Sequence, residues 1–254
     1  FAAADFPDNL FKNLVIGSDK VENVIKNPLV KAVTLTGSTP AGKAVASLAG
    51  SMLKKTVLEL GGSDPYVILE DADLDQAVNA CIAGRMLNTG QSCIAAKRFI
   101  VVEPCRPEFT DKVAMKIKNM NMGDPLDLTI DIGPMVNISA RDELHQQVIT
   151  SLDKGAVLVT GGIIPESPGS FYPPTLLVDV APGMPAFDDE LFGPVAVIIA
   201  AKDEQQALEL ANQTKFGLGA AVFTTDFQKG IKIATDILEA GCCFVNDFVK
   251  SDPR

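Results

Sequence analysis

The strongest constraint on the fold of this chain is an alternation. Short β-branched and apolar runs recur, each followed by a stretch whose apolar residues fall at helical spacing. Ala32–Thr36, 56–60, 66–69, 99–102, 156–160, 176–180, 195–200, 220–224 and Cys242–Val245 read as strands. Pro40 sits in the first turn of a small-residue helix over 40–49, and Glu22 to Lys26 forms a shorter one. Asp73 with Gln76 three residues on reads as an N-cap and capping-box partner. The helix they open carries Leu74, Ala77, Val78, Cys81 and Ile82 inward. Pro107 opens another helix, with Phe109, Val113, Ile117 and Met120 on one face. Ser139 is the expected cap of a third, with Leu144, Val148 and Leu152 facing in and Gly155 stopping it. Two more helices are expected near 203–212 and 226–238. Strands that are apolar along their whole length are buried on both faces, so the pattern predicts an α/β protein with a largely parallel, helix-covered sheet.

Composition narrows the function. The 254 residues hold 32 acidic against 22 basic side chains, a net charge of −10, and the basic residues form no cluster. Nucleic-acid binding depends on neutralising phosphates, so nucleic acid is not an expected partner. No apolar run approaches the roughly 20 residues a membrane helix needs. Five cysteines, odd in number and sparse, suit a reducing compartment such as the cytoplasm. The single histidine, His145, sits mid-helix among Glu143, Gln146 and Gln147 and reads as a surface residue, and no metal site is expected. The chain opens on Phe1 without an initiator Met and ends just after a strand-like run, so it is expected to be a piece of something longer.

Four segments carry candidate chemistry. Gly37 and Ser38, between a strand and a helix, offer backbone N–H groups and a helix N-terminus to an anionic phosphate. The stretch from Gly37 to Ala44 also nearly matches the phosphate loop G-x-x-x-x-G-K-[ST]. Ala44 stands where a hydroxyl would hold Mg²⁺, so a nucleotide hydrolase remains a second reading and a plain strand–helix turn a third. Glu59, inside an apolar run ahead of Gly61-Gly62, is expected to be partly desolvated and so tuned toward a general base. Cys93 follows Gly90-Gln91-Ser92 on a turn, where a thiol is reachable. By contrast Cys81 lies on an apolar helix stripe, Cys105 just before a helix-starting Pro, and Cys242 and Cys243 point to opposite faces of a strand. Glu190-Leu191-Phe192-Gly193-Pro194 sets an acid and an aromatic ahead of a rigid turn.

Taken in order, Gly37-Ser38, Glu59-Leu60-Gly61-Gly62, Gly90-Gln91-Ser92-Cys93 and Glu190-Leu191-Phe192-Gly193-Pro194 resemble the aldehyde dehydrogenase superfamily. The likeness runs from Phe6-Pro7 through 217–223 to 241–246. Ser63-Asp64-Pro65, Asn88-Thr89-Gly90 and the run from Arg141 to His145 look most like the bacterial succinate-semialdehyde dehydrogenases. The resemblance implies part of a Rossmann-type cofactor domain over 1–61, followed by an α/β thiol-bearing domain over 62–254. It implies Cys93 as the nucleophile that turns an aldehyde into a thiohemiacetal, hydride transfer to NAD or NADP, and Glu59 as the base activating water against the resulting thioester. It assigns Gly37 and Ser38 to a cofactor phosphate, Leu60 and Gly61 to the nicotinamide pocket, Glu190 to the nicotinamide ribose and Phe192 to its packing. A homo-oligomer, dimer or tetramer, is implied as well. A catalytically silent protein on the same fold is the remaining alternative, disfavoured by the presence of both Cys93 and Glu59.

Two departures qualify these expectations. The likeness begins partway through the cofactor domain, without the family's oxyanion-stabilising Asn and its adenosine-ribose Lys. The intact enzyme is therefore expected to be nearly twice this length, and the 254 residues alone to turn over poorly. Some succinate-semialdehyde dehydrogenases place an Arg six residues before the nucleophile to pair with the substrate's carboxylate. Leu87 stands there, and Arg85, two residues off, is expected to point away. Ala95, two after Cys93, offers no neighbouring thiol.

Overall fold

The computed structural model describes residues 2–251 and divides into two compact units, one up to Leu60 and one from Gly61 onward. In the first, α1 (Val21–Lys26) precedes a single β–α–β step made of β1 (Ala32–Thr36), α2 (Thr39–Ser51) and β2 (Lys55–Glu59). The strands pair in parallel, with Thr36 opposite Glu59. Gly37 then donates its N–H to the carbonyl of Glu59 at 3.0 Å, closing the carboxyl end of the pair.

The second unit is built on a seven-stranded sheet. Its strands are β3 (Asp64–Ile68), β4 (Ala96–Val102), β5 (Val157–Thr160), β6 (Thr175–Val178), β7 (Val195–Ala201), β8 (Gly219–Phe223) and β9 (Cys242–Val245). The order across the sheet is β5-β6-β7-β4-β3-β8-β9, and every pairing is parallel except β5 with β6. The α/β class and mainly parallel sheet read from the sequence are therefore the fold of the chain. Helices α3 (Leu74–Met86), α4 (Arg106–Lys118), α5 (Ile138–Asp153), α7 (Glu204–Asn212) and α8 (Phe227–Asp236) connect the strands, with a short α6 (Pro185–Asp188) that no apolar periodicity announces. β3, β4 and β8 are buried at every position, as sheets covered on both faces require. Tyr66, Phe99, Phe109 and Phe223 interlock at the centre, with ring centroids 6.0–6.4 Å apart. Tyr66 also accepts the N–H of Val249 on its hydroxyl.

Several local expectations shift. Asp73 does cap α3, accepting the N–H of Gln76 at 3.0 Å. The Gln76 side chain does not close the capping box but donates to the carbonyl of Asn246. The cap of α5 is Asn137 rather than Ser139, because the Asn137 side chain reaches the N–H of Ala140 at 2.8 Å. His145 is half-buried against Tyr172, with 3.2 Å between Nδ1 and the phenol oxygen, and is not a free surface group. Among the described residues no helix is long and apolar enough to cross a membrane.

Candidate active site

The order β7-β4-β3 makes the site. These three neighbours run parallel, so their amino ends lie along one edge, and the segment entering each carries a candidate residue. Gly61-Gly62 leads into β3, Cys93 into β4 and Glu190 into β7.

Cys93 is half-buried on the turn between α3 and β4. That turn is strained: Asn88, Thr89 and Gly90 all have positive φ, at 53°, 57° and 71°. Two successive non-glycine residues in the left-handed region need an overdetermined surrounding. Asn88 ties its side chain to the carbonyl of Gln91 at 3.0 Å, and Gln91 accepts the N–H of Val136 at 2.8 Å. Arg85, fully buried on α3, donates from one terminal nitrogen to the carbonyls of Gly90 (2.7 Å), Leu191 (3.3 Å) and Gly193 (2.8 Å). One guanidinium thus ties the Cys93 turn to the Glu190 turn, and burial lowers its pKa to about 10. Arg85 faces inward, its guanidinium engaged by backbone carbonyls. Leu87 is exposed.

Glu190 keeps its carboxylate one-fifth exposed. Its Oε1 accepts the N–H of Gly62 at 3.1 Å and pairs with the Lys97 ammonium at 3.2 Å. Its Oε2 lies against Gly61, where a Cβ would collide with it. A Cβ on Gly62 would come within 2.5 Å of the Cys93 carbonyl oxygen. Close approach, not turn flexibility, is what the Gly-Gly pair supplies here. Phe192 is 43% exposed beside a buried Leu191, so it is available for contact and is not core.

Sequence reading missed the charges beneath this edge. Lys97 is 1% exposed and donates to the carbonyls of Ser92 and Cys93, both at 2.9 Å. Burial is the chief cause that lowers its pKa to about 8. Asp64, on β3, accepts the N–H of Gly219 on Oδ1 and leaves Oδ2 without a partner among the described residues. Burial pushes its carboxyl up to about 6, against the pull of Lys97 and the Gly219 N–H. The one signal was a Lys-Arg pair directly ahead of the apolar run 99–102.

The residues of the first unit gather on its own carboxyl end. Ser38 caps α2 through the N–H of Ala41 at 3.4 Å, and Leu60 packs on Gly42, leaving no room there for a Cβ. Glu59 is exposed, so the burial its apolar neighbours suggested is absent. Thr39 to Lys43 already belong to helix α2, so the stretch is a capped helix start and not a phosphate-wrapping loop. That removes the nucleotide-hydrolase reading. Among the described residues no three acidic, Cys or His side chains are grouped to hold a metal ion.

A parallel sheet that brings a thiol, a partly exposed carboxylate and a glycine pair to one edge matches an established family. Residues 1–254 match the model of the aldehyde dehydrogenase family, and the chain belongs to it. It is 48% identical over 254 residues to the succinate semialdehyde dehydrogenase [NAD(P)+] Sad of Escherichia coli, covering all of this chain and 55% of that protein. It is 45% identical over 249 residues to the NADP(+) succinate-semialdehyde dehydrogenase of Mycobacterium avium, covering 98% of this chain and 52% of the relative. The crystal structure of succinic semialdehyde dehydrogenase from Streptococcus pyogenes with NADP+ superposes with a TM-score of 0.91 at 37% identity, over 95% of this chain and 53% of that one. The chain thus spans about half the length of the curated relatives it matches.

Proposed function

We propose that this chain supplies the thiol-bearing part of an enzyme that oxidises an aldehyde to its carboxylic acid with NAD or NADP. The observation that carries the reading is Cys93 itself: a half-buried thiol on a strained turn, beside a carboxylate held by a buried cation and by the N–H of Gly62. Strain of this kind persists where the surrounding structure fixes it, and it concentrates at active sites.

Cys93 is the nucleophile, attacking the aldehyde carbon and later releasing the acyl group as its thioester is hydrolysed. Sulfur suits both steps, being strongly nucleophilic and a good leaving group. The nicotinamide cofactor supplies the hydride acceptor when bound. The residues present fit such a group. Glu190 has Oε1 engaged and Oε2 beside Gly61 with no hydrogen bond among the described residues, suited to a ribose hydroxyl, and Phe192 offers an exposed aromatic face. Gly61 and Leu60 line the nicotinamide pocket, and Gly37 and Ser38 meet a cofactor phosphate at the start of α2. Glu59 activates the hydrolytic water, its exposure leaving it open to solvent. In this reading residues 1–61 close the cofactor domain, 62–254 form the thiol domain, and the protein is a cytoplasmic homo-oligomer.

Succinate semialdehyde is the proposed substrate, supported by the activities for which relatives at 43–48% identity are named. The full chain with succinate semialdehyde and NAD+ or NADP+ should generate reduced cofactor, read by absorbance. Cys93→Ala should lower that rate by about 10³-fold or more. Glu59→Gln should keep a first burst of reduced cofactor and lose turnover. A Cys93→Ala protein that still oxidises aldehyde at the parent rate overturns the proposal.

A further inference from the structure

Lys97 takes no part in the chemistry above, yet its ammonium touches both the nucleophile turn and Glu190. An ammonium has three hydrogens to donate. Here each has a partner: the carbonyl of Ser92, the carbonyl of Cys93 and Oε1 of Glu190, at 2.9, 2.9 and 3.2 Å. Two of those acceptors belong to the backbone that carries the thiol. The third belongs to the carboxylate on the neighbouring entry to β7. Gly62 closes the arrangement, its N–H on the same Glu190 oxygen and its α-carbon so near the Cys93 carbonyl that a Cβ would lie 2.5 Å from it.

We propose that Lys97 is a positioning residue that couples Glu190 to the Cys93 turn, so that the placement of the carboxylate and the placement of the nucleophile are set together. The proposal rests on the reading of Cys93 and Glu190 given above. Its physical basis is that a buried ammonium cannot exchange a lost partner for water, so displacing any one acceptor strains the other two. A residue serving only to fill the core would not need a charge, and burying one is costly. Long-range pull on this ammonium comes from Asp64 on β3 and push from Arg85 on α3, so Glu190 is the acid it touches directly and Asp64 the one it feels at longer range. Its pKa is brought down to about 8, which places its titration within reach of ordinary assays. Above that pH the amine retains two hydrogens for the two carbonyls but no longer carries the charge that holds Glu190.

The test is a double-mutant cycle on the full chain with Lys97→Met, Lys97→Gln, Glu190→Gln and the Lys97→Met/Glu190→Gln pair. Two readouts are taken: kcat and KM for the cofactor, and iodoacetamide alkylation of the Cys93 peptide by mass spectrometry, with exposed Cys242 as the internal reference. Lys97→Met and Glu190→Gln should each lower kcat/KM for the cofactor by about ten- to a hundredfold, the scale of a small misplacement at a reacting centre. The pair should be no worse than the worse single variant. In the parent, KM for the cofactor should rise as pH passes about 8, and Lys97→Gln should lose that rise. Losses that multiply in the pair, with Cys242 alkylation unchanged, overturn the proposal. If Lys97→Met fails to fold, Lys97→Gln decides, since it keeps donors for the two carbonyls without the charge; an unaltered response to Glu190→Gln in its background overturns the proposal too. A parent protein that reduces no NAD(P)+ counts against the dehydrogenase reading alone. The alkylation cycle then decides the role of Lys97: Glu190→Gln must change the Cys93 rate only when Lys97 is present.

Discussion

The two edges of the seven-stranded sheet both carry charges and treat them in opposite ways. At the amino ends of β3, β4 and β7, Asp64, Arg85, Lys97 and Arg98 are all at most 1% exposed and aim at backbone carbonyls and N–H groups. At the carboxyl ends a hollow of about 450 Å³ is ringed by Glu70, Asp71, Lys202, Asp203, Glu204 and Lys229, exposed or half-buried. Asp71 there gathers the loop after β8, accepting from the Thr224 and Thr225 hydroxyls and the N–H groups of Thr225 and Asp226, while Lys229 pairs with Glu204. Ligands of open α/β sheets commonly sit at the carboxyl ends. In this chain that hollow is solvated, with Asp71 held by the loop after β8 and Lys229 paired to Glu204, and the candidate site lies at the opposite edge. What distinguishes the amino edge is desolvated charge holding backbone in place.

That contrast is open to breaking by substitution. The largest effect is expected from Arg85→Met, which strips three carbonyls of their shared donor inside the protein. Unfolding in urea should reveal a loss of about 3 kcal/mol or more, and a shift under about 0.5 kcal/mol would contradict the role given to that guanidinium. Gly62→Ala comes next. Its Cβ meets the Cys93 carbonyl, so kcat/KM should fall by about ten- to a hundredfold and stability by about 1–3 kcal/mol. Retention of full activity would show that the two turns have slack. At the carboxyl edge Asp71→Asn should cost less, about 1 kcal/mol at neutral pH after allowing for solvent screening. Burial works against the Asp71 carboxylate, but hydrogen bonds from Thr224, Thr225 and Asp226 outweigh it and hold its pKa at about 2, against an ordinary 3.8. A lowered acid stabilises the fold above its unfolded pKa and loses that contribution as pH falls through the folded one. Parent and Asp71→Asn melting temperatures should therefore differ at pH 7 and converge as pH drops from about 4 toward 2. The smallest change is Lys229→Met, whose partly exposed pair with Glu204 should be worth about 0.5 kcal/mol or less in the same melts.

The fold was legible in the sequence to the extent that it is written in local chemistry. The β-branched runs fell on strands, Asp73 on the N-cap of α3, and Gly155 just beyond the end of α5 with a φ of 108°. Cys93 stood apart from the other four cysteines because only it had turn residues on its approach. The misreadings share a cause. Ser139 and Asn137 are equally good caps by composition, and which one meets a free N–H depends on where the preceding loop delivers the chain. His145 looked solvent-facing from its neighbours along the helix, but Tyr172 reaches it from another segment. Lys97 read as a charged lead-in to a strand because nothing local says that a carboxylate 93 positions later will lie beside it.

The residue sequence alone therefore settles the strands, the longer helices, the parallel α/β class and which cysteine stands on a turn, since each follows from side-chain periodicity or from the chemistry of adjacent residues. Folding in three dimensions settles which strands become neighbours. The order β7-β4-β3 carries Glu190 to Gly62 and Lys97 across more than ninety positions of chain. No spacing rule encodes that approach, because it arises from packing the whole sheet, and the same packing removes the water that would otherwise dissolve the link between Lys97 and Glu190.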